Sequence, residues 1–155
     1  MAKRPRRVKT LVREDWQCRA LAWTGGKPQG TWGHQAKGFP PSTVLKIRQQ
    51  FSEVAMLRRS WGCTTTAFAL SVGIDADPSI KLSIEVIESW LQVLAESKVP
   101  KEAILRAWDR MKPELLGPRR WLRVKGPMAV VIATLVDMRW QPLAPTRWVD
   151  ELGAT

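Results

Sequence analysis

Nine consecutive residues of this chain, Met128–Val136, carry almost no polarity and follow a basic stretch, RRWLRVKG, at residues 119–126. A membrane-spanning helix needs about 18 apolar residues, so this run is too short to be an anchor. Pro127 suits the first turn of a helix, and a helix that is apolar on every side has to be buried. The Val, Ile and Thr residues of the run also suit a strand, but the proline start and the polar end at Asp137–Arg139 favour a helix. We therefore predict a core helix from residue 127 to about residue 139.

The chain has the length and composition of one folded domain and an unusual excess of positive charge. It contains 155 residues, of which 45% are hydrophobic, and its formal net charge is +11. Residues 1–59 hold 13 basic and 3 acidic side chains, a net charge of +10, so the excess lies in the N-terminal third. A field of this size attracts polyanions, either nucleic acid or anionic lipid, and predicts binding that weakens as the salt concentration rises.

The residue types that carry redox and metal chemistry are scarce. Two cysteines, Cys18 and Cys63, are too few for the disulfide framework of a small secreted protein. With one histidine, His34, and no Cys-x-x-Cys or His-Glu-x-x-His motif, a zinc site is not expected. No apolar stretch follows the basic N-terminus, so no signal peptide is predicted. We expect no cofactor, and a location in the nucleus or the cytoplasm rather than in a membrane or outside the cell.

Residues 1–41 have the composition of a basic arm followed by a Gly/Pro/Trp-rich linker. Residues 1–13 hold six basic side chains, which is typical of a solvated disordered tail and equally of a nuclear-import or phosphate-binding arm. Residues 23–41 contain five glycines and three prolines, as loops do, and their lysines do not fit the phosphate-binding loop motif. His34 lies in this stretch without a sequence neighbour for metal or nucleophile chemistry.

Residues 42–155 form the second predicted domain, and their apolar residues recur with helical spacing. Ser42 can cap a first helix, and Gly62 is a typical end for it. Its apolar stripe consists of Val44, Ile47, Phe51, Val54 and Ala55. Residues 63–74 suit a short helix or a buried strand equally well, since periodicity does not choose between them.

Two further helices have proline start signals. Asp77 as the cap and Pro78 at the first helical position begin one of them. Its spacing predicts a core face formed by Ile80, Ile84, Ile87, Leu91 and Leu94. Pro100 begins the next helix, which Pro113 and Gly117-Pro118 are predicted to close. Its inner side is predicted to consist of Ile104, Trp108, Met111 and Leu115.

The segment after the apolar run is predicted to be extended because of Pro142 and Pro145, with Trp148 and Leu152 packing back on the core. Together these patterns predict a mainly α fold. We expect a small irregular helical bundle, preceded by a basic, Gly/Pro-rich and partly disordered N-terminal region.

The candidate contacts to nucleic acid are clustered lysines and arginines, because such clusters release counterions when they neutralise phosphates. Six lie in residues 1–13, two in the helix that begins near residue 42, and four in a basic turn at residues 119–125. They are Lys3, Arg4, Arg6, Arg7, Lys9, Arg13, Arg48, Arg59, Arg119, Arg120, Arg123 and Lys125. For Arg48 and Arg59, a solvated helix face is the alternative interpretation.

The order of aromatic and turn residues resembles a known kind of polyprotein. DADPSI at residues 75–80 and IESW at 87–90 precede RRWLRVKGPMAVVIATLVDMRWQP at 119–142 and PTRWVDELG at 145–153. This order is similar to the helical segment after the reverse transcriptase palm in LINE-type (non-LTR) retrotransposon polyproteins, especially those of protists. The likeness covers about residues 60–153, with a weaker part at residues 33–48. The matching residues are Trp121, Gly126, Pro127, Trp140, Pro142, Trp148, Asp150 and Gly153.

The resemblance implies a non-catalytic piece of an RNA-directed DNA polymerase. The family's polymerase centre needs a Tyr- or Phe-x-Asp-Asp turn, and this chain has no tyrosine and no adjacent pair of aspartates. We therefore expect this chain itself not to be an enzyme. In this hypothesis its partners are the phosphate backbone of RNA or DNA and the rest of the polyprotein. The alternative hypothesis is a helical protein–protein interaction module with a nuclear-targeting basic tail.

Overall fold

The computed structural model describes residues 3–19, 21, 31, 33–54 and 63–154 of the chain. These residues contain seven α-helices and one β-hairpin, so the predicted mainly α fold is confirmed. The helices are α1 (Lys3–Glu14), α2 (His34–Lys37), α3 (Pro41–Val54), α4 (Thr64–Ser71), α5 (Pro78–Glu96), α6 (Lys101–Leu115) and α7 (Pro127–Asp137). In the hairpin, β1 (Gln141–Ala144) pairs antiparallel with β2 (Arg147–Val149).

The contacts between residues divide the chain into two compact units. Unit 1 consists of Met1–Trp32 and Ser42–Leu82, and unit 2 consists of Gly33–Pro41 and Ser83–Thr155. The boundary predicted between residues 41 and 42 rests on the change from a Gly/Pro/Trp-rich composition to helical spacing of apolar residues. It stays a prediction.

Helix α7 forms the centre of the unit 2 core. All seven residues from Ala129 to Leu135 are buried, as the apolar run predicted. The helix ends at Asp137, two residues earlier than expected, because Arg139 adopts a left-handed conformation with φ 62°. Other buried members of this core are Val86, Trp90, Trp108 and Leu115, and Trp140 and Trp148 pack against it.

The face that helix α5 buries agrees only in part with the predicted one. Ile87 and Leu94 of the predicted core face pack against the unit 2 core, but Ile84 and Leu91 are exposed. Leu82, Val86 and Trp90 are the buried apolar residues of this helix. Apolar residues surround much of this helix, so spacing alone does not select the covered side. In unit 2, the Trp90 ring stacks on the Trp108 ring at 6.0 Å between centroids, and its Nε1 donates a hydrogen bond to the Pro145 carbonyl at 2.9 Å. These long-range contacts determine the rotation of the helix.

Helix α6 follows its prediction except at Pro113. Trp108 and Leu115 are fully buried, and Ile104 and Met111 pack against the same core. The helix continues two residues beyond Pro113 and ends at Leu115, just before the second predicted end signal, Gly117-Pro118. A proline in the last turn removes one backbone hydrogen bond and does not by itself end the helix.

The helices of unit 1 also differ in small ways from the helices predicted from the sequence. Helix α3 begins at Pro41 rather than after a Ser42 cap, because proline suits the first turn of a helix. Its residue Phe51 packs against the buried Phe68 of α4, which settles the open choice for residues 63–74 in favour of a helix. The predicted end at Gly62 lies outside the described residues. Helix α5 begins at Pro78, as predicted.

After α7 the chain forms the hairpin, and Trp148 packs against the unit 2 core as predicted. The prediction for Leu152 is wrong, because its side chain is 92% exposed. The Asp150 carboxylate accepts hydrogen bonds from the N–H groups of Leu152 (2.8 Å) and Ala154 (2.9 Å). These bonds fold the end of the chain into a turn, and Leu152 points away from the core.

Among the described residues, no helix combines the length and the apolar character that crossing a membrane requires.

Candidate nucleic-acid interface

Helix α1 presents basic side chains to solvent. Val12 is buried and Val8 is half-buried, so this side of the helix packs against the protein. Arg7, Lys9 and Arg13 are exposed. Lys9 and Arg13 are four residues apart and are therefore neighbours on one helix face. A segment that the sequence left open as a tail or an arm is thus a helix with one packed side and a cationic surface.

Lys3, Arg4 and Arg6 belong to the first turns of α1. Arg59 lies outside the described residues.

Arg48 is engaged inside unit 1. Its Nε and Nη2 both donate to Oδ2 of Asp77, at 2.9 and 2.6 Å, and Nη2 also donates to the Thr65 hydroxyl. Its guanidinium carbon lies 5.9 Å from the centroid of the buried Phe68 ring. Asp77 is completely buried and the Arg48 side chain is 17% exposed, so this ion pair is largely shielded from water. Arg48 is therefore bound to Asp77 and Thr65 within unit 1 rather than available for a phosphate.

A 3-10 helix at Arg120–Leu122 organises the basic turn, residues 119–125. The Leu122 N–H donates to the Arg119 carbonyl (3.2 Å), and the Arg123 N–H donates to the Arg120 carbonyl (2.9 Å). A 3-10 helix has about three residues per turn, so side chains three apart lie on the same side. Arg119 therefore shares a side with Leu122, Arg120 shares a second side with Arg123, and Trp121 occupies the third.

The side formed by Arg120 and Arg123 faces the end of α6. Arg120 Nε donates to the Leu115 carbonyl (3.1 Å), and Arg123 Nη1 donates to the Glu114 carbonyl (3.4 Å). The last carbonyls of a helix carry partial negative charge, so cations are favourable there. These two arginines thus help to stabilise the C-terminal end of α6.

Asp137 anchors the turn to the end of α7. One of its carboxylate oxygens pairs with Nη1 of Arg120, and the other accepts a hydrogen bond from Trp121 Nε1 at 2.8 Å. A carboxylate at the negative end of a helix is unfavourable without a cation, which explains the position of Arg120. The Trp121 ring in turn lies directly against the backbone of Gly38.

The remaining side of the basic turn faces solvent. Arg119 and Lys125 are exposed and have no protein partner among the described residues. Leu122 lies between them in sequence and is 82% exposed. Val124 packs against the unit 2 core, so its neighbour Lys125 points outward. The turn therefore carries an apolar side chain flanked by free cations on a backbone that Asp137 holds in place.

The sequence grouped all four cations of this turn together, whereas the structure separates Arg120 from Arg119 and Lys125. A signal for this separation exists in the sequence. An aspartate at the end of a predicted helix needs a cation, and Arg120 precedes Asp137 by 17 residues. No comparable feature of the sequence indicates that Leu122 is exposed.

His34 has a partner that the sequence did not indicate. It is buried in unit 2, its Nε2 lies 3.2 Å from the Glu85 carboxylate, and its ring stacks on Phe39. Within the described ranges, no group of three or more His, Cys, Asp or Glu side chains is arranged to hold a metal ion. The pair attaches the 33–41 segment to α5.

Cys63, at the start of α4, is an exposed thiol with altered acidity. The N–H and hydroxyl groups of Thr66, and then the N–H of Thr65, favour the thiolate and lower the pKa of Cys63 from 9.0 to about 7. Because only the thiolate reacts, we expect the rate of alkylation by iodoacetamide to rise with pH through a midpoint near 7. Mass spectrometry of the Cys18→Ser variant, alkylated over a pH series, measures this midpoint for Cys63 alone.

Thr66→Val is the matched control for this measurement. It removes the hydroxyl but keeps the N–H, so the midpoint should move up towards the ordinary value of 9.0. A midpoint already near that value in the parent chain would contradict the expectation.

Comparison with protein-family models, with curated proteins and with solved structures finds no match to this chain.

Proposed function

We propose that this chain is a non-catalytic, nucleic-acid-associated segment that holds the phosphate backbone of RNA or DNA through basic side chains. The observation that carries the proposal is the surface of α1, where Arg7, Lys9 and Arg13 are exposed while Val12 is buried. Cations held on a helix reach successive phosphates without the cost of ordering a flexible tail. The solvent side of the basic turn, Arg119 and Lys125, is a second candidate contact.

The proposal includes an origin in a LINE-type retrotransposon polyprotein, which rests on the sequence resemblance alone. Several of the matching residues have structural roles in unit 2. Gly126 has φ 84°, Pro127 begins α7, and Asp150 closes the C-terminal turn. These roles explain why such residues would recur in a related fold, and they carry no information about ligands.

The test is the salt dependence of duplex binding. We expect the full chain to bind double-stranded DNA or RNA at low salt, with a logarithm of affinity that falls linearly with the logarithm of salt concentration. Replacing Arg7, Lys9 and Arg13 by glutamine should reduce the magnitude of that slope by up to about 2.7, since each phosphate contact contributes about 0.9 on B-DNA. Fluorescence anisotropy of a labelled duplex at several salt concentrations measures both slopes. Substitution is preferable to deleting residues 1–13, because deletion would also remove the buried Val12.

The matched control replaces three exposed cations of α6, Lys101, Arg106 and Arg110, by glutamine. Both triple variants lose the same charge, but the α6 cations lie among acidic residues such as Glu102 and Asp109. Only the α1 variant should lose a large part of the slope. Equal losses would show that net charge alone is responsible, and no binding at low salt would contradict the proposal.

A second candidate function, a helical protein–protein interaction module, is supported by the exposed face of α5. Ile84 and Leu91 are seven residues apart on one side of that helix, and each is 43% exposed. However, none of the five tryptophans with described side chains, at positions 90, 108, 121, 140 and 148, is exposed. An interface rich in aromatic residues is therefore not found among them. This function predicts no steep salt dependence with duplexes, so the same titration separates the two candidates.

A further inference from the structure

We propose that Leu122 is a wedge that inserts between neighbouring base pairs of a nucleic-acid duplex from the minor groove, while Arg119 and Lys125 contact the flanking phosphates. This inference rests on the proposed function and specifies how the basic turn would take part in it. Leucine is among the apolar side chains that proteins insert between base steps, and such insertion partly unstacks and kinks the duplex.

The exposure of Leu122 is unusual for its position. A leucine at 82% exposure contributes little to packing, whereas the residues on either side of it, from Arg120 to Val124, all have structural contacts. Trp121 donates to Asp137, Arg120 and Arg123 donate to the end of α6, and Val124 packs on the core. The turn is therefore held from the inside, and Leu122 is presented outward in a defined direction.

The exposed cations beside Leu122 indicate which kind of partner the turn would bind. Arg119 lies on the same side of the 3-10 helix as Leu122, and Lys125 follows it on the exposed edge. A protein pocket for one leucine would not require free cations beside it, whereas a duplex offers a phosphate on each side of every base step. A lipid surface would also attract the cations, but helices that bind such surfaces present a broad apolar face. The basic turn presents a single leucine, which fits the narrow opening between two base pairs.

The experiment uses the full chain and a duplex that carries 2-aminopurine, a base whose fluorescence rises when it is unstacked. We expect the parent chain to raise this fluorescence on binding. Leu122→Ala should abolish the rise and weaken affinity about tenfold, which is the order expected from one leucine side chain no longer buried, less the cost of unstacking. The slope of affinity against salt should stay the same, because no charge is removed. Arg119→Ala should instead reduce that slope by about 0.9.

Leu152→Ala is the matched control, since Leu152 is 92% exposed and lies beside acidic residues rather than cations. It should change neither fluorescence nor affinity. If Leu122→Ala matches the parent chain while binding remains salt-dependent, the wedge is overturned and the proposed function stands. If the parent chain does not bind the duplex at low salt, the proposed function fails and the wedge fails with it. If Leu122→Ala weakens binding to phosphatidylcholine–phosphatidylserine vesicles but not to the duplex, the turn recognises a lipid surface and the wedge is overturned.

Discussion

Asp77→Ala should destabilise the chain by about 3–5 kcal/mol, because it removes one partner of a buried ion pair and leaves the other charge uncompensated. The Asp77 carboxylate accepts two hydrogen bonds from Arg48, and its other oxygen accepts the N–H (2.9 Å) and hydroxyl (2.7 Å) of Ser79 at the start of α5. The substitution therefore removes a helix cap together with the pair. Urea unfolding followed by far-ultraviolet circular dichroism measures the free energy of unfolding. A loss of this size is a large part of the total stability of an ordinary domain.

Asp75→Ala is the control for the lost charge, because Asp75 is an exposed carboxylate two residues away. It should change the free energy of unfolding by less than about 0.5 kcal/mol. The double variant Arg48→Met/Asp77→Asn removes both charges, so neither is left without a partner. It should lose much less stability than the sum of the losses measured for Arg48→Met alone and Asp77→Asn alone. Additive effects of the two substitutions would contradict a direct interaction between these side chains.

Gly38→Ala should destabilise the chain by about 3 kcal/mol or more through two separate costs. Gly38 has φ 65° and ψ 176°, a conformation that is almost restricted to glycine and costs other residues about 1–3 kcal/mol. A Cβ at this position would also overlap the Trp121 ring and come within 3.1 Å of Val130 Cγ1. The ring cannot easily move away, because its Nε1 is bound to Asp137. Overpacking of this kind costs about 1–3 kcal/mol more. Urea unfolding again gives the measurement.

Comparison with Gly126→Ala separates the steric cost of Gly38→Ala from its conformational cost. Gly126 has nearly the same backbone conformation, with φ 84° and ψ 172°, but a Cβ there would meet nothing within 4 Å. We expect it to show only the conformational cost. Trp121→Leu should recover part of the stability when combined with Gly38→Ala, since the smaller side chain makes room. Equal losses for the two alanine variants would mean that the contact with Trp121 is unimportant.

The local features of the sequence predicted local features of the fold. The helix start at Asp77-Pro78 follows from a side chain that bonds to a backbone N–H two residues away, so it can be recognised without knowing the rest of the fold. The long apolar run predicted the buried helix α7 for the same kind of reason, because every face of that helix is apolar. By contrast, α5 has apolar residues on more than one side, and its spacing pointed to Ile84 and Leu91, which are exposed.

The candidate interface also has one property that the sequence predicts and one that it does not. The positions of the cations in α1 and in the basic turn could be found from composition, but their availability could not. Arg48 and Arg120 look like their basic neighbours in the sequence, yet each is committed to an aspartate, Arg48 across 29 residues and Arg120 across 17. Pairing over such distances depends on how the helices pack.

From its residues alone, then, the chain could be assigned a mainly α fold, a core helix at the apolar run and an excess of cations towards its N-terminus. Those properties depend on hydrophobicity, proline geometry and charge, which act within a few residues along the chain. Which face of α5 is covered, which arginines remain free and why Leu122 projects into solvent were decided by the tertiary structure. These outcomes depend on side chains that are distant in sequence and meet only when the helices pack.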